Sequence, residues 1–150
     1  MAGYVLKIVI ENTHPPVWRR VLVPDKISFG MLHRILQILF GWNGSHLHEF
    51  RLPGKDLSIG PLEFHDGDRD MLDEDDTMLE EIIAPGESIR YIYDFGDNWI
   101  HKIIFENIDE TCDSRYPILI KFKSDNFAED SGGVYASQER VPFDPEYVTS

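Results

Sequence analysis

An α+β fold, with one mixed sheet and a single main helix packed on it, is predicted for this 150-residue sequence by three features. Two runs near the start alternate along the chain with the period of a strand, one run carries apolar residues at helical spacing, and four further β-rich runs follow. With 42% hydrophobic and 12% aromatic residues, the chain has ample material for a core. Its length suits one domain, residues 1–150, burying roughly two thirds of the surface its unfolded form exposes.

Tyr4, Leu6, Ile8 and Ile10 share one face of a first strand, with Lys7 and Glu11 on the other. Residues 12–16 are turn chemistry, and residues 17–23 return as the second arm of a hairpin. Arg19, Val21 and Val23 fall on one side of that arm, and Trp18, Arg20 and Leu22 on the other. Ser28 is placed to cap a helix in which Phe29, Leu32, Ile35, Leu36 and Leu39 line one face, with Gly41 ending it. Its exposed side would carry His33, Arg34 and Gln37. Residues 45–52 read as a strand with His46, His48, Phe50 and Leu52 on one face. Thr77-Met78-Leu79-Glu80 has capping-box spacing and opens a short helix that Pro85-Gly86 stops. Residues 88–95 and 99–106 form a hairpin through Gly96-Asp97-Asn98, and residues 118–122 are a last strand. Hairpin, long helix, strand, short helix, strand is the order of β-grasp domains. The expectation is therefore a β-grasp-like sheet with an added hairpin and a loop-rich C-terminal extension.

The net charge is −13, and residues 63–81 carry ten acidic side chains against one basic. Such a field opposes a nucleic-acid backbone, so nucleic acid is not an expected partner, and the acidic run reads as a solvated loop. Asp66-Gly67-Asp68-Arg69-Asp70 looks like the start of a calcium loop. Met71 stands where that loop needs glycine, and Thr77 where it needs a bidentate glutamate, so no specific calcium site is expected. Cys112 is the sole cysteine, the first residues lack the pattern of a signal peptide, and no apolar run is long enough to span a membrane. These features imply a cytoplasmic protein whose partner is another protein or a small molecule, with no membrane association. Phosphate loops, dinucleotide fingerprints and nucleophile elbows are missing from the sequence.

Several segments together carry a family resemblance. They are Pro15-Pro16-Val17-Trp18-Arg19-Arg20, Leu32-His33, Gly41-Trp42, Ser45-His46-Leu47-His48-Glu49-Phe50 and Tyr93-Asp94-Phe95-Gly96-Asp97-Asn98-Trp99-Ile100-His101. With Tyr116-Pro117 and Glu129-Asp130-Ser131-Gly132-Gly133, the sequence resembles the plasmid pRiA4b ORF-3-like family, also labelled passenger proteins of insertion elements, over nearly its whole length. The resemblance implies an α+β fold and an association with plasmids and mobile elements, and it implies no assigned activity. The chain departs from the family pattern at Phe127-Ala128, where a proline pair is usual, and its Cys112 lies upstream of the usual cysteines. Roles that depend on those cysteines are not carried over.

The residues themselves suggest one site. His46 and His48 on one strand face are about 6.6 Å apart, within reach of one metal ion. Asp94, Asp97 and His101 complete a nitrogen and oxygen set suited to a divalent metal such as zinc or manganese. Glu129 and Asp130 from the C-terminal loop are the candidate catalytic carboxylates, with Glu129 as base to a metal-bound water. The same residues also read structurally, as histidines at the core edge and as aspartates capping a glycine turn. Trp18, Trp42 and Trp99 read as core. Arg19 and Arg20 point to opposite faces, so at most one can join Arg51 at an anion site. A non-enzymatic binding or accessory protein is the first expectation. A metal-dependent hydrolase built on the His/Asp cluster is the alternative, and a nucleic-acid-binding accessory protein the third.

Overall fold

The computed structural model describes residues 2–61, 70–135 and 140–145, so the calcium-loop motif falls almost wholly outside the described residues. One mixed sheet dominates the fold. Its elements in chain order are β1 (Gly3–Ile10), β2 (Val17–Pro24), α1 (Phe29–Phe40), β3 (His48–Arg51), β4 (Leu57–Gly60), β5 (Asp70–Asp73), α2 (Leu79–Ile82), β6 (Ser88–Tyr93), β7 (Trp99–Asp109) and β8 (Ile118–Lys123). Short strands β9 (Asn126–Phe127) and β10 (Arg140–Val141) pair separately. The eight strands lie in the order β5-β4-β3-β6-β7-β1-β2-β8, antiparallel except for the parallel β4–β5 pair. This is the α+β class expected, with one main helix.

Alternation in β1 and β2 does what a period of two requires. Leu6, Ile8 and Ile10 are fully buried on one face with Val17, Val21 and Val23, while the intervening residues are half-buried. Helix α1 lays Phe29, Leu32, Leu36, Leu39 and Phe40 onto that face. The Ser28 hydroxyl accepts from the Met31 N–H at 3.1 Å. At the other end Gly41 adopts φ 73°, and the Trp42 N–H donates to the Gln37 carbonyl at 2.9 Å. A side chain at Gly41 would also strike the Asn126 amide, 2.9 Å from an ideal Cβ.

The structure differs from the sequence reading at several elements. Strand β3 begins only at His48, so His46 lies in the preceding loop and the two histidines do not share a strand face. Part of the acidic run forms strand β5 rather than a solvated loop, paired in parallel with β4. The short helix α2 forms, but without a capping box: Met78 is its N-cap and the Thr77 hydroxyl instead donates to the Asp73 carbonyl at 2.8 Å. Strand β6 stops at Tyr93, because Asp94 turns to φ 64°. Among the described residues no helix is long and apolar enough to cross a membrane.

Candidate functional site

The site is built where the α1–β3 loop crosses the β6–β7 hairpin. Trp42, 5% exposed, anchors the loop by stacking on Tyr93 with ring centres 5.6 Å apart and on Trp99 at 5.2 Å. Beyond it the Gly44 N–H donates to Gln37 Oε1 at 2.7 Å, and the Asp94 N–H donates to the Leu47 carbonyl at 2.8 Å. Strand β3 pairs His48 opposite Tyr93, which places the residues just before it over the hairpin turn. His46 is held there.

Three carboxylates surround the His46 ring nitrogen. Nε2 is 2.7 Å from Asp130 Oδ1, 3.6 Å from Asp94 Oδ2 and 3.8 Å from Glu129 Oε2. Despite this company Nε2 is buried without an aligned hydrogen bond among the described residues, even to Asp130, whose oxygen lies off the line of the donor. One ligand atom each of His46, Asp94 and Asp130 falls within 4.8 Å of the others.

Two of the carboxylates are oriented by their other oxygen. Asp94 Oδ1 accepts the backbone N–H groups of Gly96 at 3.0 Å and Asp97 at 3.2 Å, leaving Oδ2 toward His46. Asp94 therefore caps the turn and faces the site at once. Glu129 Oε1 accepts from the Asn43 N–H at 2.6 Å, the Tyr93 hydroxyl is shared between Oε1 at 3.1 Å and Oε2 at 3.3 Å, and Oε2 lies 3.8 Å from His46. Burial first, and the Glu129 charge after it, push the Tyr93 hydroxyl up to about 12, against the opposing Ser45 hydrogen bond. Tyr93 is thus a phenol that donates at neutral pH.

His48 takes a different carboxylate. Its Nε2 lies 2.6 Å from Glu74 Oε1, and its ring stacks on His33 at 3.5 Å with the planes 6° apart. Both Glu74 and the fully buried Tyr91 belong to this second group, as does Gln37. Sequence reasoning placed Gln37 and His33 on the solvent face of the helix. Instead, both meet the Tyr91 hydroxyl on β6, and His33 also stacks on His48 of β3, leaving Gln37 7% exposed and His33 half-buried. A cavity of about 620 Å³ opens here, lined by His33, His46, His48, Arg34 and the Asp73 to Asp75 turn.

The remaining expected residues lie elsewhere. Asp97 uses Oδ2 to accept from the Gly132 N–H at 3.0 Å, tying the C-terminal loop to the hairpin. His101 is fully buried between the rings of Phe40 and Tyr91, with Nδ1 against the carbonyls of Trp99 and Tyr91. The arginines form no shared anion site. Arg20 is engaged by both oxygens of Glu106 and Arg51 by Glu49, while Arg19 is buried beside the Leu39 carbonyl and Asn126. Trp42 and Trp99 are core, whereas Trp18 is half-buried on the outer face beneath Lys7 and Arg20.

Fold and site together define an α+β domain with a histidine ringed by carboxylates at the mouth of a polar cavity. The chain belongs to the plasmid pRiA4b ORF-3-like protein family, whose model matches residues 2–146. It is 35% identical over 135 residues to the uncharacterized protein y4hQ of Sinorhizobium fredii, covering 89% of this chain and 69% of that one. A crystal structure of a protein of unknown function, MM3350, from Methanosarcina mazei Go1 matches with a TM-score of 0.87 at 31% identity, over 98% of this chain and 96% of that chain. Neither name assigns an activity, so the chemistry rests on the residues.

Proposed function

We propose that the domain is a non-enzymatic accessory protein that binds a divalent cation through His46, Asp94 and Asp130, with Glu129 beside them. The observation that carries this reading is the division of labour in Asp94: Oδ1 is held by the Gly96 and Asp97 N–H groups, while Oδ2 faces the His46 nitrogen that Asp130 also approaches. That is how outer hydrogen bonds orient metal ligands. One ligand atom each of His46, Asp94 and Asp130 lies within 4.8 Å of the others, so the three can converge on one ion with bonds of about 2.0 Å. One nitrogen and two carboxylates, with positions left for water, suit zinc or manganese. Binding is favoured over hydrolysis because Glu129 and Asp130, the candidate catalytic carboxylates, are drawn onto the ion side of the cluster. Glu129's second oxygen is engaged by Asn43 and Tyr93, which removes it as a base for water.

Elemental analysis of untagged protein, followed by calorimetric titration with zinc and with manganese, is expected to give one ion per chain. Asp94→Asn keeps an oxygen for the Gly96 and Asp97 N–H groups and tolerates the positive φ, so it tests the ligand and not the turn. It should weaken binding at least ~10-fold, and His46→Ala should abolish stoichiometric uptake. Wild-type protein that takes up neither metal, or variants that bind as well as it does, would rule the reading out.

Nucleic acid is not the proposed partner, since a net charge of −13 works against phosphate binding. Fluorescence anisotropy with duplex DNA at physiological salt should show no saturable signal. Submicromolar, salt-sensitive binding would instead favour a nucleic-acid-binding role.

A further inference from the structure

A relay of hydrogen bonds behind the cavity fixes the chemistry of His33. Because a backbone N–H can only donate, Gly44 N–H at 2.7 Å identifies Gln37 Oε1 as the acceptor and leaves Nε2 of that amide as a donor. Gln37 Nε2 donates to Tyr91 Oη at 2.9 Å. Tyr91 is fully buried, and among the described residues the other partner of its hydroxyl is His33 Nδ1, at 2.7 Å. Leaving a buried phenol proton unbonded is costly, so Tyr91 donates it to Nδ1. Burial holds the Tyr91 phenol well above its ordinary range, so that proton stays in place at neutral pH. Burial, with His48 and Arg34 acting after it, holds His33 down at about 3, so the ring is neutral. A neutral imidazole accepting at Nδ1 must carry its proton on Nε2. The parallel His48 ring holds the plane of His33 in place.

We infer that the cavity is a binding site for a small uncharged ligand bearing a carbonyl or amide oxygen, and that His33 Nε2–H grips that oxygen. The volume of about 620 Å³ lies within the range of small-molecule pockets. Charge sets the ligand class. Asp73, Glu74 and Asp75 line the wall against Arg34, so a carboxylate or phosphate is repelled, while a neutral acceptor suffers no such penalty. The relay residues lie outside the proposed cation cluster, which meets the cavity at His46 alone.

The test uses chelator-treated protein, which separates its failure from failure of the cation site. Long-range ¹⁵N–¹H correlation spectra should show His33 as the Nε2–H tautomer. Titration with N-methylacetamide should shift the His33 signals saturably, and acetate should not. Tyr91→Phe removes the proton that holds Nδ1 as an acceptor, and should weaken N-methylacetamide binding by about five-fold while releasing the second tautomer. A His33 found with its proton on Nδ1, or no saturable shift, or acetate binding as well as the amide, would overturn the inference. The tautomer is read on wild-type protein, so the proposal stays falsifiable even if Tyr91→Phe does not fold.

Discussion

Replacing Arg19 by methionine is expected to destabilise the fold by about 3 kcal/mol or more, since several buried acceptors lose their donor at a cost of roughly 1 to 3 kcal/mol each. Arg19 is fully buried, on the face of β2 that carries Val21 and Val23. Its Nε donates to the Leu39 carbonyl at 3.1 Å, Nη1 to the carbonyls of Trp18 at 2.8 Å and Lys123 at 3.0 Å, and Nη2 to Asn126 Oδ1 at 2.6 Å. The guanidinium also stands 3.9 Å from the centre of the Phe143 ring. Burial lowers it to about 10, opposed by the Asp125 charge, so it remains a cation at neutral pH. One side chain thereby joins the end of α1, edge strand β8 and the start of β9. Methionine would fill much of the volume and leave those acceptors without donors. Chemical denaturation of both proteins measures the difference. A loss under about 1 kcal/mol would mean that water re-satisfies the carbonyls and that the arginine contributes mainly its hydrophobic stem.

Arg19 also shows what a sequence reveals and what it hides. Period-two alternation put it beside Val21 and Val23 and so marked it as inward-facing, although nothing local named its distant partners, which come from residues 39, 123 and 126. The helix was legible from Ser28 to Gly41 because both ends are local chemistry. Strands β4 and β5 were not, since four residues are too few to show a period. The site divides the same way. His46, Asp94, Glu129 and Asp130 could be singled out as chemically able residues, but their convergence depends on the α1–β3 loop crossing the hairpin. The pairing of His46 with His48 rested on a strand that starts three residues later than the alternation suggested. Glu74 was missed because it is one acid among ten in its run, and its burial beneath His48 is a tertiary fact. His33 and Gln37 were assigned to solvent because a helical face made of polar residues gives no sign of the buried Tyr91 hydroxyl it meets.

Stability should fall as pH drops from about 6.5 toward 4, and His101 should account for about 3 kcal/mol of the loss. The ring is fully buried, with Nδ1 3.0 Å from the Trp99 carbonyl and 3.2 Å from the Tyr91 carbonyl. Carbonyls only accept, so Nδ1 carries the proton and Nε2 holds a lone pair, without a partner among the described residues. The Phe40 and Tyr91 rings pack against it. A second proton would charge Nε2 in apolar surroundings. Burial therefore lowers His101 to about 4, although the two carbonyls favour the charged form. The unfolded chain protonates this side chain near 6.5, so below that pH the unfolded state binds the extra proton and the folded state does not. The stability contribution is complete above about 6.5 and is lost as pH falls toward 4, with a slope of at most about 1.4 kcal/mol per pH unit. His33 is lowered for the same first reason and adds to the fall in wild-type protein. Comparison with His101→Gln isolates the His101 share, because glutamine retains an N–H donor for the carbonyls and does not titrate. Unfolding free energies of the two proteins should converge as the pH is lowered across this window. Parallel curves would mean that the folded protein protonates His101 as readily as the unfolded chain does.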